Sequence, residues 1–482
     1  MTNITSSKSP SLLEAFIPVI ALIIMLSAAV SVFGSDSSYG PNQIALLISM
    51  GIAIVIGIKN GVTWKSIEEA IVKGISLSLG AILILLSVGA LIGTWLLSGT
   101  VPTMIYYGLM ILDPAWFYAA SCIICGVVAM SIGSSWTTAA TIGVALLGIA
   151  QGLGLSPAIT AGAVISGAYF GDKVSPLSET TNLAPAVAGS ELFSHIRYML
   201  WTTVPSICTA IIIFIVLGLT ETSEATTDSI TLLNEQLAAQ FDLSIVNLIP
   251  LVVLLALAIK KMPAFPAVCI GALMGAVWAV LFQQDLILRL AGDADALMAN
   301  VTIVWKAFFD GVAIETGNEE LNQLLSGGGM SSMLNTIWLI MCALSFGAVL
   351  EHLGMLRKFV NAILAAAKST GSLIASTVTT CIGTNLITAD QYMAIVMPGR
   401  MYKEEYEKRG LDPLVLSRTL EDSGTITSPL IPWNTCGAYM YSVLMVNPLE
   451  YVFYCFFNLI NPVLAVVYGF VGFKIKKLVT NN

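Results

Sequence analysis

Long apolar runs constrain this chain more than any other feature. They lie at residues 12–33, 41–58, 75–97, 115–132, 199–220, 244–259, 263–282, 331–350 and 450–473. A run of about 20 apolar residues, coiled as a helix, matches the hydrocarbon thickness of a bilayer. Backbone in lipid must satisfy its own hydrogen bonds, so such runs imply helices rather than open strands. Only 10% of the 482 residues are charged and 56% are hydrophobic, whereas soluble domains carry about 25% charged residues. Water would aggregate such a surface; lipid accepts it. The expected class is an all-α polytopic membrane protein, placed in the inner membrane.

Other bulk features exclude alternatives. The net charge of −8, with no basic block, argues against a nucleic-acid partner. The eight cysteines sit singly inside apolar runs, apart from a Cys122-x-x-Cys125 pair that reads as helix packing, so no disulfide framework is expected. The first apolar run is too long for a signal-peptide core and reads as a retained span.

Loop charges orient the spans. Lysines cluster in 59–73, at Lys260–Lys261, around Arg357, Lys358 and Lys368, and at Lys474, Lys476 and Lys477. By contrast, 34–42, 221–243 and 311–330 carry no Lys or Arg. Excess positive charge marks cytoplasmic loops, so both termini are expected in the cytoplasm and 221–243 outside. The basic 400–409 segment reads as a cytoplasmic loop, and Gly327-Gly328-Gly329 as a hinge or linker in an outside loop.

Between the runs lie apolar stretches broken by Gly, Pro, Ser, Thr and Asn, and these pair across the chain. Gly133-Ser134-Ser135-Trp136-Thr137-Thr138-Ala139 resembles Gly383-Thr384-Asn385-Leu386-Ile387-Thr388-Ala389, displaced by 250 positions (383 − 133). Gly171-Asp172-Lys173-Val174-Ser175-Pro176-Leu177 resembles Gly424-Thr425-Ile426-Thr427-Ser428-Pro429-Leu430, displaced by 253 (424 − 171). Before each lies a Pro-containing start, Gly154-Leu155-Ser156-Pro157 and Gly410-Leu411-Asp412-Pro413. Combined with the loop charges, these three pairs imply two inverted-topology repeats, 1–230 and 231–482. Each would hold about five spans, a re-entrant hairpin and a broken helix, the last two within 115–190 and 371–446. Paired interrupted helices mark the ion site in carriers built this way.

Unwound carbonyls and hydroxyls suit a hard cation, and a carboxylate at membrane depth is a functional candidate because it is expensive to keep there. The candidate acids are Asp172, Glu179, Asp390, Glu421 and Asp422. The candidate hydroxyl and amide ligands are Ser134, Thr137, Ser175, Thr181 and Asn182 in the first half, with Asn385, Thr388, Thr425, Ser428, Asn434 and Thr435 in the second. Lys173 and Arg418 are the expected charge partners. His195 and His352 read as interfacial anchors. No nucleotide-binding loop, nucleophile elbow or metal-spaced His/Cys cluster is visible, so neither enzyme chemistry nor a cofactor is expected.

The stretch Gly171–Pro185 resembles the signature of the NhaC family of sodium/proton antiporters, as do Leu416–Thr425, Pro429–Thr435 and Asp390-Gln391-Tyr392. The resemblance implies membership of the ion transporter superfamily, with a scaffold domain, a moving transport domain and a homodimer. It implies a secondary transporter exchanging sodium ions for protons. Relatives with the same Gly-Asp-Lys-x-Ser-Pro-Leu-Ser pattern include sodium-linked malate/lactate exchangers. A sodium- and proton-coupled organic-acid or amino-acid antiporter is therefore the alternative, with Lys173, Arg418 and the hydroxyls positioned to hold a carboxylate.

Overall fold

The computed structural model describes residues 8–221, 227–292, 294–316, 321, 322 and 325–478. Parts of the lysine-free 221–243 and 311–330 stretches therefore lie outside the described residues. Among those described, extended pairing is limited to two isolated bridges, Val312–Gly327 and Leu411–Lys477. Among the described residues seven helices are long and apolar enough to cross a membrane, or up to nine if two bent pairs each count as one span. The chain is a multi-pass membrane protein. Its lipid-length helices include α1 (Leu12–Phe33), α2 (Pro41–Lys59) and α3 (Leu79–Leu97).

Helix α4 (Thr100–Ile111) is followed by α5 (Phe117–Ile132), α6 (Pro157–Val174), α7 (Glu179–Ala188) and α8 (Leu192–Thr220). The second half holds α9 (Ala264–Phe282), α10 (Leu334–His352), α11 (Met355–Ala365), α12 (Thr370–Thr388) and α13 (Gln391–Lys408). It ends with α14 (Pro413–Leu420), α15 (Thr435–Leu444) and α16 (Phe456–Val471). The 400–409 segment is thus mostly the end of α13 rather than a loop, with Arg409 paired to Glu405 at 2.7 Å.

Helix boundaries recur at a nearly fixed spacing. The N-cap residues Ser134, Ser156, Ser178 and Glu191 are matched by Asp390, Asp412, Asn434 and Asn447, each 256 positions on (390 − 134). Each is a side-chain acceptor for the orphan N–H groups that open a helix. The helix ends follow the same spacing. Gly133 and Ala389 both take left-handed backbone, as do Gly189 and Met445. Displacements of 250 and 253 therefore miss this register, whereas the Gly154–Pro157 and Gly410–Pro413 pair, 256 apart (410 − 154), meets it. Gly133 closes α5, whereas Gly383 lies inside α12, and the second turn falls at Ala389–Asp390 instead of Gly383–Thr388. The two segments thus agree in where their helices are capped more than in residue identity.

The triple glycine is a clasp, not a loose linker. Gly327 and Val312 exchange backbone bonds of 2.8 and 3.0 Å, and the Gly329 N–H donates to the Gly89 carbonyl on α3 at 2.7 Å. A Cβ on Gly328 would lie 2.2 Å from the Gly93 nitrogen, so only glycine lets the two backbones meet.

Candidate functional site

Five charged side chains meet inside the helical bundle. Asp172 and Lys173 come from the last turn of α6, Arg418 from α14, and Glu421 and Asp422 from the turn after it. Lys173, Arg418, Glu421 and Asp422 are fully buried, and Asp172 is nearly so. Burial of an ion is tolerated only when partners replace its water, so the partners decide what each group can do.

Asp422 is satisfied on one side. Its Oδ1 accepts from the Lys173 ammonium, from Thr202 Oγ1 on α8 at 3.0 Å and from Asn461 Nδ2 on α16 at 2.9 Å. Arg418 Nε lies 3.9 Å from Oδ2, and its guanidinium covers the Tyr198 ring at 4.4 Å. The charges of Lys173 and Asp422 offset each other directly.

Asp172 is held from the hairpin side. Ser135, at the start of the short helix after the Gly133 turn, donates to its Oδ2 through the backbone N–H at 3.1 Å and the hydroxyl at 2.7 Å. Glu421 differs from both: neither carboxyl oxygen has a hydrogen-bond partner. It lies within electrostatic reach of Lys173 and Asp172, and the Thr425 and Thr180 hydroxyls face it. The Thr425 hydroxyl is itself unpartnered. A buried carboxyl whose oxygens accept no hydrogen bond is a candidate for a proton or a small cation, because Lys173 is already paired with Asp422.

The local backbone explains why Glu421 is presented this way. Residues Glu421–Thr425 form a π turn, a wide helical turn that leaves carbonyls off the α ladder. Amides collect them: Asn385 Nδ2 donates to the Gly424 carbonyl at 2.7 Å and Asn458 Nδ2 to that of Ile426 at 2.7 Å. Beyond it, Ser428–Leu430 forms a 3₁₀ turn, and Asn434 caps α15. Within the matching first-half stretch, 171–182, the chain leaves the helix only at Ser175–Ser178, narrower than the glycine and proline pattern implies.

Most of the expected hydroxyl and amide ligands hold backbone instead. Thr181 Oγ1 donates to the Asp172 and Lys173 carbonyls at 3.2 and 3.0 Å, and Asn182 Nδ2 to those of Pro176 and Ser178 at 3.0 and 2.6 Å. Ser134 caps its helix and accepts from Thr137, Ser175 accepts from the Leu177 N–H, and Thr388 and Ser428 bond carbonyls one turn back. Asn434 bridges to Asn385 at 3.1 Å, and the Thr435 N–H donates to the Ala389 carbonyl. Asp390 caps α13 through the Met393 N–H at 2.7 Å, and Glu179, near the rim, accepts from Tyr392. These residues shape the site; Asp172, Lys173, Arg418, Glu421 and Asp422 form its charged interior.

His195 is fully buried, with Nδ1 2.9 Å from Ser417 Oγ, so it is no interfacial anchor. His352 meets Ser66 at 2.7 Å. Sequence reading passed over Thr202, Asn458 and Asn461. The last two stand three apart inside an apolar run, and paired amides in a span are a signal that could have found them.

Comparison with known proteins agrees with the chemistry. Residues 167–473, which hold every charge of the site, match the Na+/H+ antiporter family. The chain is 39% identical over 435 residues to the Na(+)/H(+) antiporter NhaC of Alkalihalophilus pseudofirmus, covering 90% of this chain and 91% of that one. It is 38% identical to the Malate-2H(+)/Na(+)-lactate antiporter of Bacillus subtilis, over 90% of each chain. It is 37% identical to the arginine/ornithine antiporter ArcD of Halobacterium salinarum, over 97% of this chain and 93% of that one. With a matched segment longer than half its length and relatives this similar along nearly all of it, the chain belongs to the Na+/H+ antiporter family.

Proposed function

We propose that this protein exchanges sodium ions for protons across the inner membrane, and that Asp172 and Glu421 are the carboxyls for which the two cations compete. The observation that carries this reading is Glu421: fully buried, within electrostatic reach of Asp172, and without a hydrogen bond on either oxygen. A proton or a sodium ion would each complete the pair, and one excludes the other without a separate regulatory site. Asp422, already neutralised by Lys173, is the fixed counter-charge. Exchange then requires access from the two sides in turn, for which two repeats of opposite orientation are the natural scaffold. Both termini facing the cytoplasm and a homodimeric assembly belong to the same proposal.

Reconstitution tests it. Purified protein in liposomes, with no organic solute present, is expected to move protons when a sodium gradient is imposed. Apparent sodium affinity is expected to fall as pH drops. Asp172→Asn keeps the size and hydrogen-bonding capacity of the side chain but removes its charge, and is expected to assemble without exchanging. Undiminished exchange by Asp172→Asn would remove the carboxyl from the mechanism.

A second reading has its own support: Lys173 and Arg418 place two buried cations beside the carboxyls, and relatives include the malate/lactate and arginine/ornithine antiporters. Proton flux that appears only when an organic acid or amino acid is supplied would favour it.

A further inference from the structure

The segment 472–478 reaches the charged interior. After α16 the backbone turns at Gly472 and runs as an extended strap over the turn between α13 and α14. Leu478 N–H donates to the Gly410 carbonyl at 2.8 Å, and Asp412 N–H to the Lys476 carbonyl at 3.0 Å. The Lys476 ammonium pairs with the Asp412 carboxylate at 3.0 Å. These bonds fasten the strap beside the start of α14, whose next turns carry Arg418 and Asp422.

Inside this frame the Lys474 carbonyl does something the tail's length and charge do not require. It accepts from Arg418 Nη1 at 3.3 Å and from the Tyr198 hydroxyl. Tyr198 lays its ring under the same guanidinium at 4.4 Å, and its oxygen also accepts from the Lys476 N–H at 3.3 Å. Arg418 Nε and Nη2 have no hydrogen-bond partner, so the Lys474 carbonyl and the ring are the contacts that hold this buried cation on the side away from Asp422. The carbonyl is aimed there because Lys474 adopts φ +52°, a left-handed conformation that a side chain with a Cβ rarely takes. The Lys474 side chain points elsewhere, over Trp201 at 4.1 Å.

We propose that the 472–478 strap is a positioning element of the ion site: through the Lys474 carbonyl and Tyr198 it sets where Arg418 sits against Asp422. A guanidinium released from the strap can swing toward or away from Asp422, changing how much of that carboxylate's charge is offset and hence the field at Glu421 and Asp172. Tyr198 and Lys474 are positioning residues; neither touches the cargo. The inference builds on the sodium/proton reading of the site.

Two substitutions at one position separate the carbonyl from the lysine charge. Lys474→Gly keeps φ near +52° at no strain and removes only the side chain. Lys474→Pro fixes φ near −65° and so turns the carbonyl away. In reconstituted protein, Lys474→Pro is expected to weaken apparent sodium affinity by roughly threefold or more, as loss of a hydrogen bond to a charged group implies, while Lys474→Gly stays within about twofold of wild type. Tyr198→Phe is expected to fall between them, and to add nothing to Lys474→Pro because both act through Arg418. Hydrogen exchange across Leu416–Thr425 reads the same event without any cargo: faster in Lys474→Pro and unchanged in Lys474→Gly. Equal behaviour of the two variants in both measurements overturns the proposal, and so does a full additional loss from Tyr198→Phe. If wild type moves no protons with sodium, the sodium reading fails, and the exchange measurement still decides the strap.

Discussion

The two interrupted segments share their caps but not their charges. Ser134, Ser156 and Ser178 in the first half stand where Asp390, Asp412 and Asn434 stand in the second, and each caps a helix. At the same displacement, Asp172 and Lys173 face Ser428 and Pro429, while Arg418, Glu421 and Asp422 face Gly162, Ile165 and Ser166. No charge of the interior is duplicated. The first half supplies one acid and one base at a helix end. The second supplies a base from the end of α14 and two acids on the π turn that follows it, whereas the π turn of the first half, Ala139–Gly143, carries no charge. The lesson is that backbone geometry and site chemistry separated: capping tolerates any short acceptor, whereas a buried charge needs its particular partner. The Lys173–Asp422 pair joins the halves, so the site exists only when both fold against each other.

The largest expected effect tests that asymmetry at its centre. Glu421→Gln keeps the shape of the π turn and removes the bare carboxyl. Exchange is expected to fall by on the order of 100-fold, the loss typical of a positioned proton-carrying group, with assembly unchanged. Flux near wild type would move the site elsewhere.

Next comes the pair between halves. Asp422→Asn leaves the Lys173 and Arg418 cations without their carboxylate, and breaking one side of a buried pair costs about 3–5 kcal/mol. Thermal unfolding in detergent is expected to drop sharply. The double change Lys173→Gln with Asp422→Asn is expected to recover part of that stability without recovering transport. A double variant as unstable as the single one would deny that the pair is what couples the segments.

Ser135→Ala is a milder change in the first half. It deletes the hydroxyl bond to Asp172 and keeps the backbone one, and hydrogen bonds to charged groups contribute about 1.5–3 kcal/mol. Apparent sodium affinity is expected to weaken by about tenfold, measured by sodium titration of proton flux.

The smallest effect is the sharpest test of the shared caps. Asp390→Ser installs the residue type its counterpart Ser134 already uses, so exchange is expected to stay within about twofold of wild type. Severe loss would mean that Asp390 binds cargo and does more than cap α13.

Much was legible beforehand. Lipid sets the length of a span and forbids unpaired backbone, so apolar runs alone located α1, α2, α5, α9 and α10 within a few residues. The same physics makes a carboxylate in such a run conspicuous, which is why Asp172, Glu421 and Asp422 stood out together with Lys173 and Arg418. What the sequence could not separate were acids that look alike along the chain. Asp390 bonds a neighbour three residues away, Glu179 bonds Tyr392 at the rim, and Asp422 is held by Lys173, 249 positions back (422 − 173). Glu421, adjacent to Asp422, is left bare. Helix geometry turns adjacent residues toward different neighbours, and which neighbours those are is decided by how distant segments pack. Composition and spacing therefore determined that this chain lies in a membrane and keeps charges there; only the tertiary structure decided which carboxylate is paired with a buried lysine and which has no hydrogen-bond partner.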